Sequence, residues 1–314
     1  MYYDLKQIKP AIDSCRDLLE RLEDGFVRYS RGEAVIPPVG HLAFSAPKGD
    51  THIKYGYIKG DDVFAVKIAS GFEDNSAYGV ANSSGIMLVF SAKTGHPQAI
   101  LADEGYLTAL RTALAGAICA KHFAPAHVKA IGILGTGEQA RMQLTALSGI
   151  IECKKVFVHG RNANKAELYK REMEALGCSV TVSPSPQDVA KNANLIITTT
   201  ASESALLFGC DIMPGTHITA MGTDSPGKNE IDSSVFAKAD IVIADSISQC
   251  VDHGDISYAI KNGALKEADI IELGAALGNG VKRSSEAQIT IADLTGVAIQ
   301  DIVIAKATVE MLSR

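Results

Sequence analysis

Residues 130–141 read AIGILGTGEQAR, and this stretch decides the fold. An apolar run ends at Leu134, a turn follows through Gly135, Thr136 and Gly137, and a helix-forming run begins at Glu138. The spacing is G-x-G-x-x-A, with Ala140 in the last place. Gly135 permits a sharp strand-to-helix turn, Gly137 lets the backbone approach a pyrophosphate, and the small Ala140 lets the helix pack closely on the strand. The first N–H groups of such a helix lack intrahelical acceptors and carry partial positive charge, so they attract an anion. Alone, the motif is weak, and a structural glycine turn is the plain alternative. Here it follows an apolar strand and opens a strand–helix series, which is the context a dinucleotide fingerprint requires.

That series runs downstream. From about residue 128 the apolar runs KAIGIL, KVFVHG, SVTVSP, LIITTT, HITAMG and DIVIAD alternate with helical patterns such as EQARMQLTALSG and ANKAELYKREMEALG. The order predicts βαβ units around a parallel sheet, a Rossmann-type doubly wound α/β fold. Upstream the rhythm differs. Residues 8–30 place Ile12, Cys15, Leu18, Leu19, Leu22 and Phe26 at helical spacing. The runs AVIPPVG, HIKYGYI, VFAVKIAS and GIMLVFSA then predict an antiparallel sheet, with a helix over 105–122. The last segment, ADLTGVAIQDIVIAKATVEML, reads as one long helix.

The bulk numbers exclude several classes. The chain has 314 residues, 46% of them hydrophobic, enough for about two domains. The net charge of −6 has no basic block behind it, which argues against nucleic acid. The start, MYYDLKQIKP, lacks a signal-peptide pattern, and no uncharged apolar run nears the ~20 residues of a membrane span. The six cysteines form no C-x-x-C pair and read as buried thiols of a cytoplasmic protein. The eight histidines lack metal-ligand spacing, so no metal is expected.

Three further features point to chemistry. The second strand of the series ends VFVHGRN, placing Gly160, Arg161 and Asn162 where NAD-preferring sites carry an acid. Arg161 is suited to the 2′-phosphate of NADP, which favours NADPH and leaves NADH open; a solvated arginine at a helix start is the alternative. Lys67 lies inside the apolar VFAVKIAS and Arg111 inside YLTALRTALAGA. Each needs an anionic partner if buried, and arginine is the natural planar clamp for a carboxylate. An exposed strand lysine and a structural ion pair are the alternatives. Asp224, in AMGTDSPGKNE, stands at the carboxyl end of a strand, where open parallel sheets bind ligands, although composition alone makes it a turn residue before Pro226 and Gly227.

Together GTGEQA, LRTA and GTDSPGKNEID resemble the ornithine cyclodeaminase/mu-crystallin family, over nearly the whole chain. The resemblance implies a Rossmann domain, residues 113–293, and a discontinuous α+β domain, residues 1–112 with 294–314, for substrate binding and homodimer formation. It implies that Lys67 and Arg111 hold a substrate carboxylate and that Asp224 is the acid/base at the substrate nitrogen. It places Gly135, Thr136, Gly137, Glu138 and Gln139 on the pyrophosphate. Thr200, Ala201, Met221, Gly222, Thr223 and Asn82 then line the cofactor, and Thr295, at the start of the last helix, faces the active site. One departure concerns the P-P-R pattern of many members, which here reads Pro37, Pro38, Val39. One carboxylate contact is then either absent or replaced, with His41 or Lys54 as the candidates. The other is the missing acid before Arg161.

Members of this family catalyse hydride transfer at a carbon bearing nitrogen and carboxylate. The missing acid, and the resemblance of HIKYGYI and KIASGF to stretches of members that reduce cyclic imines, lead to the expectation of an NADPH-dependent Δ1-pyrroline-2-carboxylate reductase making L-proline, with Δ1-piperideine-2-carboxylate as a second substrate. Ornithine cyclodeamination with bound NAD is the alternative activity, and NADPH-dependent ligand binding without catalysis, as in mu-crystallin, is a third.

Overall fold

The computed structural model describes residues 1–72 and 74–314, with Ser76 by its backbone alone. In chain order the elements up to Phe123 are β1 (Tyr2–Asp4), α1 (Leu5–Asp13), α2 (Leu18–Ser30), β2 (Ala34–Val35), β3 (Gly40–Ser45), β4 (Lys48–Ile58), β5 (Val63–Phe72), β6 (Ser83–Ser91), β7 (Pro97–Ala102) and α3 (Tyr106–Phe123). Then follow β8 (Ile131–Leu134), α4 (Glu138–Leu147), β9 (Lys155–His159), α5 (Ala163–Ala175), β10 (Ser179–Val182), α6 (Pro186–Asn192), β11 (Leu195–Thr198) and β12 (His217–Ala220). The remainder is α7 (Ser233–Phe236), β13 (Ile241–Ala244), α8 (Ile247–His253), α9 (Asp255–Lys261), β14 (Ile270–Glu272), α10 (Leu273–Gly278), β15 (Thr290–Asp293) and α11 (Ala298–Leu312). The chain divides into two compact units, Met1–Thr112 with Val297–Arg314, and Ala113–Gly296.

The first unit holds a sheet of order β1-β7-β6-β5-β4-β2, with β3 paired to β4. All its pairings are antiparallel except β1 with β7. Because side chains alternate across a strand, Lys54, Gly56 and Ile58 of β4 share a face with Val63, Ala65 and Lys67 of β5 and with Met87 and Val89 of β6. That face is buried, and α11 packs on it. The opposite face carries Tyr55, Tyr57, Phe64, Val66, Leu88, Phe90 and Ile100, all partly or fully exposed. The sequence pattern over residues 8–30 resolves into two helices. The first ends where the Ser14 hydroxyl donates to Ala11 O at 2.7 Å, and Cys15 falls in the break.

The second unit is an eight-stranded sheet of order β10-β9-β8-β11-β12-β15-β13-β14, parallel throughout. The strand order reverses between β8 and β11, which places a crevice at their carboxyl ends. Two strands, β14 and β15, were not expected from the sequence. The final segment is not one helix: Ala292 and Asp293 belong to β15, and α11 starts only at Ala298. The break is enforced by Asp245, whose carboxylate accepts from Thr295 N at 3.1 Å and Gly296 N at 2.7 Å, and Gly296 takes φ +83°. Thr295 therefore lies in the connecting loop and not at the start of a helix. The cysteines also differ from expectation. All six are free thiols, but only Cys119 and Cys250 are buried and Cys210 is exposed, since the others fall at loop and strand ends.

Candidate active site

In the second unit the turn after β8 is shaped as a phosphate cradle. Gly135 has φ +118° and donates its N–H to His159 O at 2.9 Å. Any Cβ there would overlap the Thr199 hydroxyl. Gly137 caps α4 with no side-chain hydrogen bond, and the space where its Cβ would stand is open to 4 Å. The helix thus opens without a side-chain cap and beside open space at Gly137, which fits a pyrophosphate. Glu138 and Gln139 form the first turn of that helix. Arg141, which sequence reasoning missed, donates to the carbonyls of Thr136 and Gly137 and pairs with Glu172 at 2.6 Å, tying the turn to α5. At the end of β9, Arg161 is exposed, whereas the Asn162 side chain caps α5 by accepting from Lys165 N at 3.0 Å.

The loops after β11 and β12 carry the other cofactor-side candidates. Thr200 donates its N–H to Glu230, and Ala201 is exposed. Met221 is buried with its sulfur 2.8 Å from Gln143 Nε2. The Gly222 N–H also donates to Glu230, and the Thr223 hydroxyl donates to Asp255 at 2.8 Å. Asp224 follows with half its side chain exposed, and its carboxylate accepts from Lys228, four residues on. Gly227, at φ +92°, shapes the turn. Thr295 is buried, and its hydroxyl donates to Asp245 at 3.2 Å.

The first unit assembles a different kind of centre. Lys54 and Lys67 are directly opposite one another on β4 and β5, and both are buried. Like charges in that register repel, so something must hold them there. Part of the answer is Asp301 on α11, with Lys67 Nζ at 3.1 Å and Arg111 Nε at 3.0 Å. Arg111 Nη1 also donates to Gln300 Oε1 at 3.1 Å. Burial drives the Lys67 ammonium down to about 7, against the pull of Asp301 and helped by Arg111 and Lys54. Asp301 is held below the usual carboxylate range, since Lys67, Arg111 and Lys54 outweigh the cost of its burial. The Arg111–Asp301 contact is short but not aligned as a hydrogen bond. Six buried polar atoms of this unit lack a hydrogen-bond partner among the described residues: Asp103 Oδ1, Thr108 Oγ1, Arg111 Nε, Gln300 Nε2 and both Asp301 oxygens. Of these, Arg111 Nε and Gln300 Nε2 are donors, which with the three buried cations suit a bound anion; the Asp103 and Asp301 oxygens are acceptors and do not.

Of the two proposed replacements for the P-P-R arginine, Lys54 joins this cluster. His41 is exposed on β3 and stacks on His52, with ring centroids 4.7 Å apart. His41, His52 and Asp50 bring their ligating atoms within 4.8 Å of one another, a spacing that linear histidine patterns could not reveal. Asn82 is exposed, and its carbonyl accepts from Phe72 N at 2.8 Å. Gln300 and Asp301 were missed, although a polar pair inside the otherwise apolar AIQDIVIA was a readable signal.

The parallel-sheet unit with its phosphate cradle has the fold and turn of a dinucleotide-binding protein. The model of the ornithine cyclodeaminase/mu-crystallin family matches residues 5–314, and the chain belongs to that family. It is an NAD(P)-dependent oxidoreductase acting on carbon–nitrogen bonds. A putative dehydrogenase of Rhizobium meliloti is 38% identical over 95% of this chain and 92% of its own. Among solved structures, the Δ1-pyrroline-2-carboxylate reductase of Thermococcus litoralis, in complex with NADH and L-proline, superposes with a TM-score of 0.92 at 27% identity, over 99% of this chain and 97% of that one. An archaeal alanine dehydrogenase dimer with bound NAD gives 0.90 at 29% identity, over 99% and 95%.

Proposed function

We propose that this protein reduces Δ1-pyrroline-2-carboxylate to L-proline with NADPH, and Δ1-piperideine-2-carboxylate to L-pipecolate more slowly. The observation that carries the reading is the buried cluster of Lys54, Lys67 and Arg111 near Asp301, with the unmet donors Arg111 Nε and Gln300 Nε2. Lys67 and Arg111 bind the substrate carboxylate and so fix C2. The bound nicotinamide supplies the hydride. Asp224, half-exposed and held by Lys228, manages the proton on the ring nitrogen. The overall balance is imine, NADPH and one proton giving the cyclic amino acid and NADP⁺. One ring methylene is worth about 1–3 kcal/mol of discrimination, so both ring sizes are accepted. NADPH is preferred because Arg161 stands exposed after β9 with no acid beside it to repel a 2′-phosphate.

The protein acts as a homodimer. The outer face of the first unit's sheet, with Tyr55, Tyr57, Phe64, Phe90 and Ile100, is an exposed apolar surface of the kind that pairs with another chain.

The test is NADPH oxidation against both cyclic imines, with L-ornithine, L-lysine and L-alanine run in the oxidative direction. Turnover of the imines is expected, with Asp224→Asn lowering it by about 10²–10⁴-fold. Ammonia release from ornithine without net cofactor change would replace the reading by cyclodeamination.

A further inference from the structure

Glu230 is fully buried although it closes an exposed turn, and every atom of its carboxylate is used. Oε1 accepts from Thr200 N at 2.6 Å; Oε2 accepts from the Thr198 hydroxyl at 2.6 Å and from Gly222 N at 2.9 Å. One side chain thus bonds the loop after β11 to the loop after β12. A side chain on residue 222 would collide with both Thr200 O and this carboxylate, so the close approach needs glycine. Asp255, at the start of α9, completes the arrangement. Its Oδ1 accepts from Glu230 N at 2.7 Å and Ile231 N at 3.0 Å, and its Oδ2 from the Thr223 hydroxyl at 2.8 Å. Residues 222 and 223, immediately before Asp224, are therefore each tied to a buried carboxylate.

Resting on the reading of Asp224 as the acid/base, we infer that Glu230, with Asp255 behind it, is a positioning residue: it locks the two strand-end loops in register and so sets the reach of Asp224 and the wall of the dinucleotide site. The geometry calls for an acceptor oxygen on each side of the carboxyl group. Two of the three partners of Glu230 are backbone N–H groups, which can only donate. A glutamine at this position has one oxygen, so its amide NH2 must oppose one of those N–H groups and leave it buried without an acceptor. Burial and the neighbouring Asp255 push the Glu230 carboxyl upward, against the donors that favour its charged form.

The test is Glu230→Gln in the full-length protein, read three ways. Per folded active site, kcat for imine reduction falls about 10–100-fold, the cost of a small misplacement of a reacting group. The dissociation constant of NADPH, measured by fluorescence without turnover, rises severalfold. The amides of Thr200 and Gly222 exchange with deuterium faster than in the wild type. A purely structural role would lower the melting temperature and the yield while leaving kcat per folded site unchanged, and that result overturns the inference. If wild type reduces no imine, the functional reading fails, whereas the exchange and NADPH measurements still judge the clamp. If the variant does not fold, the wild type alone decides: both amides are expected to be among the slowly exchanging set, and rapid exchange of either refutes the clamp.

Discussion

The two units bury charge in opposite ways. In the first, Lys54, Lys67 and Arg111 are buried together, with Asp301 against Lys67 and Arg111, and six polar atoms of the unit go unmatched among the described residues. In the second, the carboxylates of Glu230, Asp245 and Asp255 each accept from backbone N–H groups held in place by strand ends and helix starts. A buried group whose capacity is spent on its own backbone is scaffold. Unmatched buried atoms occur in the second unit as well, Asp293 Oδ1 among them, so what sets the first unit apart is its crowd of buried cations.

Substitution on each side is the harshest way to break this comparison. Lys67→Met is expected to lower kcat/KM for the imino acid by about 10²–10³-fold, the usual loss when one member of a desolvated charge pair with a ligand is removed. Its melting temperature falls less than that of the next variant, because loss of the Lys67–Asp301 pair is offset by removal of one of two facing lysines, and Arg111 stays beside Asp301. Asp255→Ala is expected to do the reverse, lowering the melting temperature by about 5–10 °C as three donors lose their acceptor. Thermal melts beside steady-state kinetics check both, and if Lys67→Met proves the more destabilised of the two, the distinction collapses.

A smaller effect follows from pH. Lys67 titrates near 7 because burial disfavours its charged form, so its charge is present below that value and lost above it. KM for the carboxylate substrate should rise as pH climbs through about 7, and Lys67→Arg, which stays charged, should flatten that rise. The stability sign is also fixed. The unfolded chain holds this proton up to its ordinary value of 10.5, so the contribution of Lys67 to stability improves as pH rises from about 7 toward 10.5. A pH series of KM and of urea midpoints measures both trends.

The gentlest probe is at the cofactor. Arg161→Asp should lower the ratio of NADPH to NADH efficiency by about tenfold or more, since a carboxylate repels the 2′-phosphate and favours free ribose hydroxyls. Unchanged preference would remove Arg161 from the site.

How much could be read beforehand depended on range. Gly135, Gly137 and Ala140 were legible because a phosphate turn is local, its parts within six residues. Lys67 and Arg111 stood out as charges in apolar runs. Asp301 did not, since its meaning comes from a lysine more than two hundred positions earlier, brought near only when α11 returns to the sheet. Thr295 was misplaced because four-residue strands such as β15 fit helical and strand periods alike, and the central slot between β12 and β13 decides between them.

By itself, then, the sequence determined the parallel-sheet unit, its dinucleotide turn and the acid at the strand end, because each is written in neighbouring residues with its own periodicity or spacing. Only the tertiary structure decided which charges balance, which carboxylates are spent on the backbone, and that Glu230 joins two loops. Those outcomes depend on burial and on partners distant along the chain, and neither quantity exists until the chain has closed on itself.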